Sequence, residues 1–248
     1  MAVSSHRSAG VGLERALHHW RERGALLPQH PGQPEPEPMT VAISRECGAG
    51  GAAVAAAVGE SLGWPVYDRQ LVDSIAEDSG VRAQLLECLD EKRPNWFTIG
   101  SSSFSSLEKT LSGVGYAMRL RDVLVGLAGH GQCVIVGRGA AQLLPPKTTL
   151  RLRLIAPRPY RIARVAQQLA ISEDDAARWI DHMDKGRNAF VKSYFKREAG
   201  DPSGYDLTID TSRFALAACA EMAIVALRAM QQRQVEEISR NYEATLRK

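Results

Sequence analysis

The stretch "SRECGAGGAAVA", residues 44–55, decides the fold. A short β-rich run, "TVAIS", leads into it, and the alanine-rich segment Gly51–Leu62 leaves it with the composition of a helix. Glycines between a strand and a helix let backbone N–H groups turn inward onto an anion. The standard phosphate loop, G-x-x-x-x-G-K-[ST], adds a lysine for the outer phosphates and a hydroxyl for magnesium. Aligned on Gly50, this chain has Arg45 at the first glycine's place, Gly51 where lysine belongs and Ala52 where Ser/Thr belongs. The nest of Gly48, Ala49, Gly50, Gly51 and Ala52 can survive these changes; the loop's cation and metal hydroxyl cannot. From the residues alone, an anion nest and a plain glycine turn both remain open.

Working outward, four more short runs read as strands: "PVYD", "CVIV", "LRLRLIA" and "YDLTIDT". Helix-like stretches at residues 115–128, 159–169, 173–190 and 214–240 separate or follow them. Strands alternating with helices predict an α/β fold: a parallel sheet covered on both faces. Ligands of such folds bind beyond the carboxyl ends of the strands, where Gly48, Asp68 and the "GRG" around Arg138 would arrive. The serine-rich run at residues 97–113 has no periodicity and predicts a mobile loop.

Residues 1–38 read differently. Apolar residues at helical spacing predict one amphipathic helix over residues 11–27. Five of the twelve prolines then fall within residues 28–38, as in an extended linker. The division expected is an appended arm, residues 1–38, and one core domain, residues 39–248; the arm's helix is available to a partner or a second subunit. Within 248 residues, 44% hydrophobic and 24% charged with a net charge of +3, nothing marks a nucleic-acid binder. No apolar run reaches the ~18 residues of a membrane span, and the first twenty residues lack a secretory signal's apolar core. Four scattered cysteines form no CxxC, which argues against a metal knuckle and for a reducing, cytoplasmic setting.

Five separated motifs carry a resemblance: "VAISRECGAGGAAVAAAVGESLGWPVYDRQLV", "VIVGRGAAQLL", "RLIAPRPYRIARVAQQL", "DKGRNAFVKSYF" and "GDPSGYDLTIDTSRF". Together they resemble the cytidylate kinase-like family, a branch of the P-loop nucleoside monophosphate kinases, over residues 39–227. The resemblance implies a P-loop NTPase-type core of five parallel strands with helices on both faces, a helical acceptor region and a lid. It implies transfer of the ATP γ-phosphoryl, with magnesium, to a nucleoside monophosphate such as CMP; the metal's protein ligand is unknown. Family members generally lack the usual lysine too, carrying glycine there and a basic residue just after, which here is Ala52. An acid ordinarily follows the nucleotide-contacting arginine, where this chain has Gly139.

The missing charge must then come from elsewhere, because phosphoryl transfer is mostly alignment and charge stabilisation. Arg138, Arg187 and Arg45 are the catalytic candidates, with Arg138 expected nearest the loop and Arg187 arriving as the lid closes. Asp68 and Arg69 are candidates for the acceptor, although Asp68 can equally cap the next helix. Asp184 and Lys192 belong to the lid, where Asp184 can also be a surface partner of Arg187. No HExxH, GxSxG or Cys/His pairing offers a rival chemistry. The alternative from another class is a catalytically impaired nucleotide-binding or regulatory module on the same fold.

Overall fold

The computed structural model describes residue 14 and residues 16–22, 36–87 and 111–246. In chain order the elements are β1 (Thr40–Arg45), α1 (Gly51–Leu62), β2 (Val66–Tyr67), α2 (Arg69–Glu77), α3 (Ser79–Glu87) and α4 (Leu111–His130). They continue with β3 (Cys133–Val136), α5 (Ala140–Leu143), β4 (Thr149–Ile155), α6 (Arg158–Leu169), α7 (Glu173–Phe195), β5 (Leu207–Asp210) and α8 (Leu216–Leu246). The five strands form one sheet in the order β2-β3-β1-β4-β5, and every pairing is parallel. The expected α/β architecture is therefore present.

Alternation along β1 explains the two layers. Ala42 faces a core that holds Tyr67, Ile75, Leu124 and Ile135, with α2 and α4 as its cover. Val41 and Ile43 face the opposite layer, where Leu150, Leu152 and Leu154 of β4 meet α1 and α8. Fully burying one such aliphatic side chain stabilises by roughly 1.5–3 kcal/mol, so a one-residue slip of β1 would be costly on both faces. With β3 on one side and β4 on the other, β1 delivers Arg45 and the glycine turn to the middle of the sheet's carboxyl edge.

The N-terminal arm corrects the sequence expectation. Residues 16–22 are helical, and Ala16 and Trp20 are fully buried in the same core as Tyr67. The Trp20 indole donates to the Tyr67 hydroxyl (2.9 Å) and stacks on His130, with ring centroids 6.1 Å apart. His19 Nε2 reaches the Gly131 carbonyl at 3.1 Å. The buried face of this helix is spent on its own domain; an appendage would leave it open. Most of the serine-rich run lies outside the described residues, and residues 111–113 begin α4. No described helix is long and apolar enough to cross a membrane.

Candidate functional site

The glycine turn is built as a donor cradle. Gly48 (φ +83) and Gly50 (φ +75) adopt left-handed backbone, which other residues rarely tolerate. Several loop amides are satisfied within the protein: Glu46 N–H donates to Leu154 O, Ala49 N–H to Glu46 O, and Cys47 N–H to Asp184 Oδ1 at 2.8 Å. Ala53 and Val54 both donate to Gly50 O, so α1 starts without a side-chain cap. The amides of Gly48, Gly50, Gly51 and Ala52 have no acceptor among the described residues. Unspent donors at a helix N-terminus behind two left-handed glycines form a nest for an anion.

Arg45 lies across this nest. A Cβ added to Gly51 would meet Arg45 Cγ at 2.6 Å and its Cβ at 2.9 Å, and one added to Gly137 would run into Arg45 Nη1. The side chain therefore runs over the start of α1 and ends beside the turn after β3. No carboxylate forms an ion pair with it among the described residues. Burial first, and then the charge of Arg187, lower its pKa to about 10, with Asp68 pulling the other way. Arg187 donates to the Arg45 carbonyl at 3.2 Å and lies 3.6 Å from Asp184.

Two arginines of α6, which the sequence reading passed over, hold the loop. Buried Arg161 donates to Cys47 O (3.1 Å), Ala156 O (2.9 Å) and Asp184 Oδ2 (2.6 Å), and its Nε lies 3.3 Å from Glu46 Oε2. Asp184 thus ties the lid helix to both the loop backbone and the helix beneath it. Arg164 rests against Gly50, its Cζ 3.5 Å from where a Cβ would stand, and its buried Nε has no partner. The available signal was their spacing, three apart on the helix after β4, which sends both toward the turn.

A cavity of about 390 Å³ opens beside the loop between the ends of β1, β3 and β4 and the lid helix α7. Ser44, Arg45, Arg69, Arg138, Arg153 and Arg187 line it. Arg138 has positive φ (+52) and a bidentate carboxylate partner: its Nε donates to Asp73 Oδ1 at 2.7 Å and its Nη2 to Oδ2. Tyr116 donates to the same Oδ1 at 2.9 Å, and the Arg138 guanidinium carbon sits 5.1 Å from the Phe190 ring centroid. Arg138 lines the cavity with its charge already neutralised by Asp73, and the arginine against the loop is Arg45. Gly139 follows because the Phe195 ring fills the space its side chain would need.

The remaining candidates divide. Arg69 lines the cavity, largely exposed, with Nε 3.8 Å from Asp73 Oδ2. Asp68 caps α2 by accepting from Leu71 N–H at 2.9 Å. Lys192 does not line the cavity and pairs with exposed Glu198 at 2.7 Å. The turn Pro202–Gly204 presents Tyr205, whose hydroxyl donates to Ala199 O (2.8 Å), accepts from Gln142 Nε2 (2.9 Å) and lies 3.2 Å from Ser44 Oγ. The donor set suits phosphate oxygens. It does not suit a magnesium ion held by the loop, since Ala52 has no hydroxyl and no described group of three or more His, Cys, Asp or Glu side chains could hold a metal.

Comparison with known proteins bears on the fold and the family. An uncharacterized protein from Eubacterium ventriosum superposes with a TM-score of 0.59 at 22% identity, covering 77% of this chain and 98% of that one. That likeness shows a shared fold. A shikimate kinase from Acinetobacter baumannii gives a TM-score of 0.42 at 15% identity, covering 77% and 94% of the two chains. A uronate isomerase from Corynebacterium glutamicum is 33% identical over 92 residues, which is 37% of this chain and only 17% of that protein. The cytidylate kinase-like family matches residues 40–213, from the first residue of β1 to just past β5. With the strand order, the nest and the arginine-lined cavity all inside that span, the chain belongs to the cytidylate kinase-like family.

Proposed function

We propose that the protein transfers the γ-phosphoryl group of ATP to a nucleoside monophosphate of the CMP type. The observation that carries this reading is the set of four amides at the start of α1 without an acceptor among the described residues, next in the chain to Arg45 and Glu46 of a cavity lined by arginines. The donor's phosphates would lie in the nest, and the acceptor in the cavity near Arg69 and Arg138. A phosphate oxygen of the acceptor attacks the γ-phosphorus. The bond to the β,γ-bridging oxygen breaks, and that oxygen keeps the electron pair as ADP leaves. Fixed guanidinium groups suit the charge that develops on the transferred oxygens, because they need no reorganisation during the step. Arg187 serves from the lid and Arg164 from beneath Gly50.

A second reading is favoured by two observations: Arg138 is already paired with Asp73, and Ala52 offers no hydroxyl. It is a nucleotide-binding or regulatory module that does not turn over. ADP formation from ATP against a panel of monophosphates, with direct ATP binding alongside, separates the two. Transfer to one monophosphate supports the kinase; binding without transfer to any acceptor supports the module.

A further inference from the structure

We infer that Arg45 supplies the charge a standard phosphate loop takes from its lysine, delivered from the strand side of the loop, and that Gly51 is glycine to make room for it. The inference rests on the nest being the donor-phosphate site. A lysine at position 51 would need the volume that the Arg45 stem occupies, since even a Cβ there falls 2.6 Å from Arg45 Cγ. The two positions are therefore alternatives: arginine at 45 with glycine at 51, or glycine at 45 with lysine at 51. The Arg45 stem lies against the first residue of α1, and its head stops beside Gly137 in the turn after β3.

Its electrostatic setting agrees. Arg45 has no counter-ion among the described residues, and the charge that weighs most on it is another guanidinium, Arg187, whose own carboxylate is Asp184. Arg161 and Arg138 are spent on Asp184 and Asp73. A half-buried cation with a second cation acting on it and no carboxylate partner is a poor arrangement until an anion enters, and a good one afterwards. The guanidinium also differs from a lysine head in offering a planar fork that can bind two phosphate oxygens at once.

The test uses the full chain and inorganic tripolyphosphate as the probe, with ATP beside it. Calorimetry on Arg45→Met, which keeps the stem over Gly51 and removes the charge, should show tripolyphosphate binding weakened at least tenfold. Turnover, where present, should fall roughly 100-fold, as when one preorganised charge-stabilising donor is removed. Gly51→Lys alone should bind poorly because it collides with Arg45, and Arg45→Gly with Gly51→Lys should return to within about threefold of wild type, the scale of a small non-additive error. This exchange also keeps the inference testable if Arg45→Met does not fold. Wild-type protein that does not bind tripolyphosphate, or Arg45→Met that binds it as wild type does, overturns the inference. Loss of binding in Arg45→Met, with no transfer from ATP to any monophosphate in wild type, leaves the inference standing and removes the kinase reading. Transfer that Arg45→Met does not slow does the reverse.

Discussion

Trp20 hands its indole N–H to the Tyr67 hydroxyl at the end of β2, 2.9 Å away and fully buried. A residue of the N-terminal arm thereby completes the core that α2 and α4 cover. Trp20→Ala should lower unfolding free energy by about 3 kcal/mol, at the lower end for a buried aromatic replaced by alanine. Removal of residues 1–38 should cost at least as much. Urea unfolding measures both, and a loss below about 1 kcal/mol in either would mean that the helix does not contribute to the core.

Arg138→Ala separates the two halves of the site. Its guanidinium belongs to Asp73 and the cavity, so the substitution should raise the KM for the acceptor by at least tenfold, about the 1.4 kcal/mol that a factor of ten represents. Tripolyphosphate binding should remain within about twofold of wild type, the spread of a site left untouched. Equal losses in both measurements would place Arg138 at the loop after all.

Asp184 accepts from the Cys47 amide with one oxygen and from Arg161 with the other. Asp184→Asn retains an acceptor for the amide and should cost roughly 1–2 kcal/mol. Asp184→Ala removes both bonds and should cost about 3 kcal/mol, the lower end for breaking a buried ion pair. Amide exchange at Cys47 should quicken only in the alanine variant. Equal exchange in the two variants would show that this hydrogen bond does not hold the loop.

Gly139 sits at φ +71 beneath the Phe195 ring. Restoring an acid by Gly139→Asp should destabilise the fold by roughly 2–4 kcal/mol, combining overpacking with left-handed strain. Adding Phe195→Ala should recover part of that loss, giving a coupling of at least 0.5 kcal/mol in a double-mutant cycle. Strictly additive losses would show that the ring and the glycine do not constrain each other.

The strands and the glycine turn were legible because their signals are local: β-rich runs, glycines and an alanine-rich helix in fixed order. The site was legible only in part. Arg45 stands where a glycine belongs, so alignment to a loop pattern marks it as a defect, and only its three-dimensional path shows it crossing Gly51. Arg138 was expected nearest the loop, but its partner Asp73 lies 65 positions away on α2, one residue past the end of the motif that opens that helix. Trp20 was hidden by the prolines after it, because composition reports where a chain turns and not where it returns. Asp68 posed a choice between capping and binding that sequence leaves open, and its Oδ1 accepts from Leu71 N–H.

The 23-residue helix α7 touches the phosphate loop through Asp184 and the cavity's far wall through Phe190 and Phe195. Asp184 and Phe195 are separated by about 16 Å of continuous helix at 1.5 Å per residue. A rod of that length cannot shift at one end without shifting at the other, so the loop and the Phe190 wall of the cavity are mechanically geared. Whatever tightens the helix over the acceptor must alter the loop's hold on an anion, and the effect must be equal in the reverse direction. The affinity of tripolyphosphate should therefore change in the presence of acceptor by the same factor by which tripolyphosphate changes the acceptor's own.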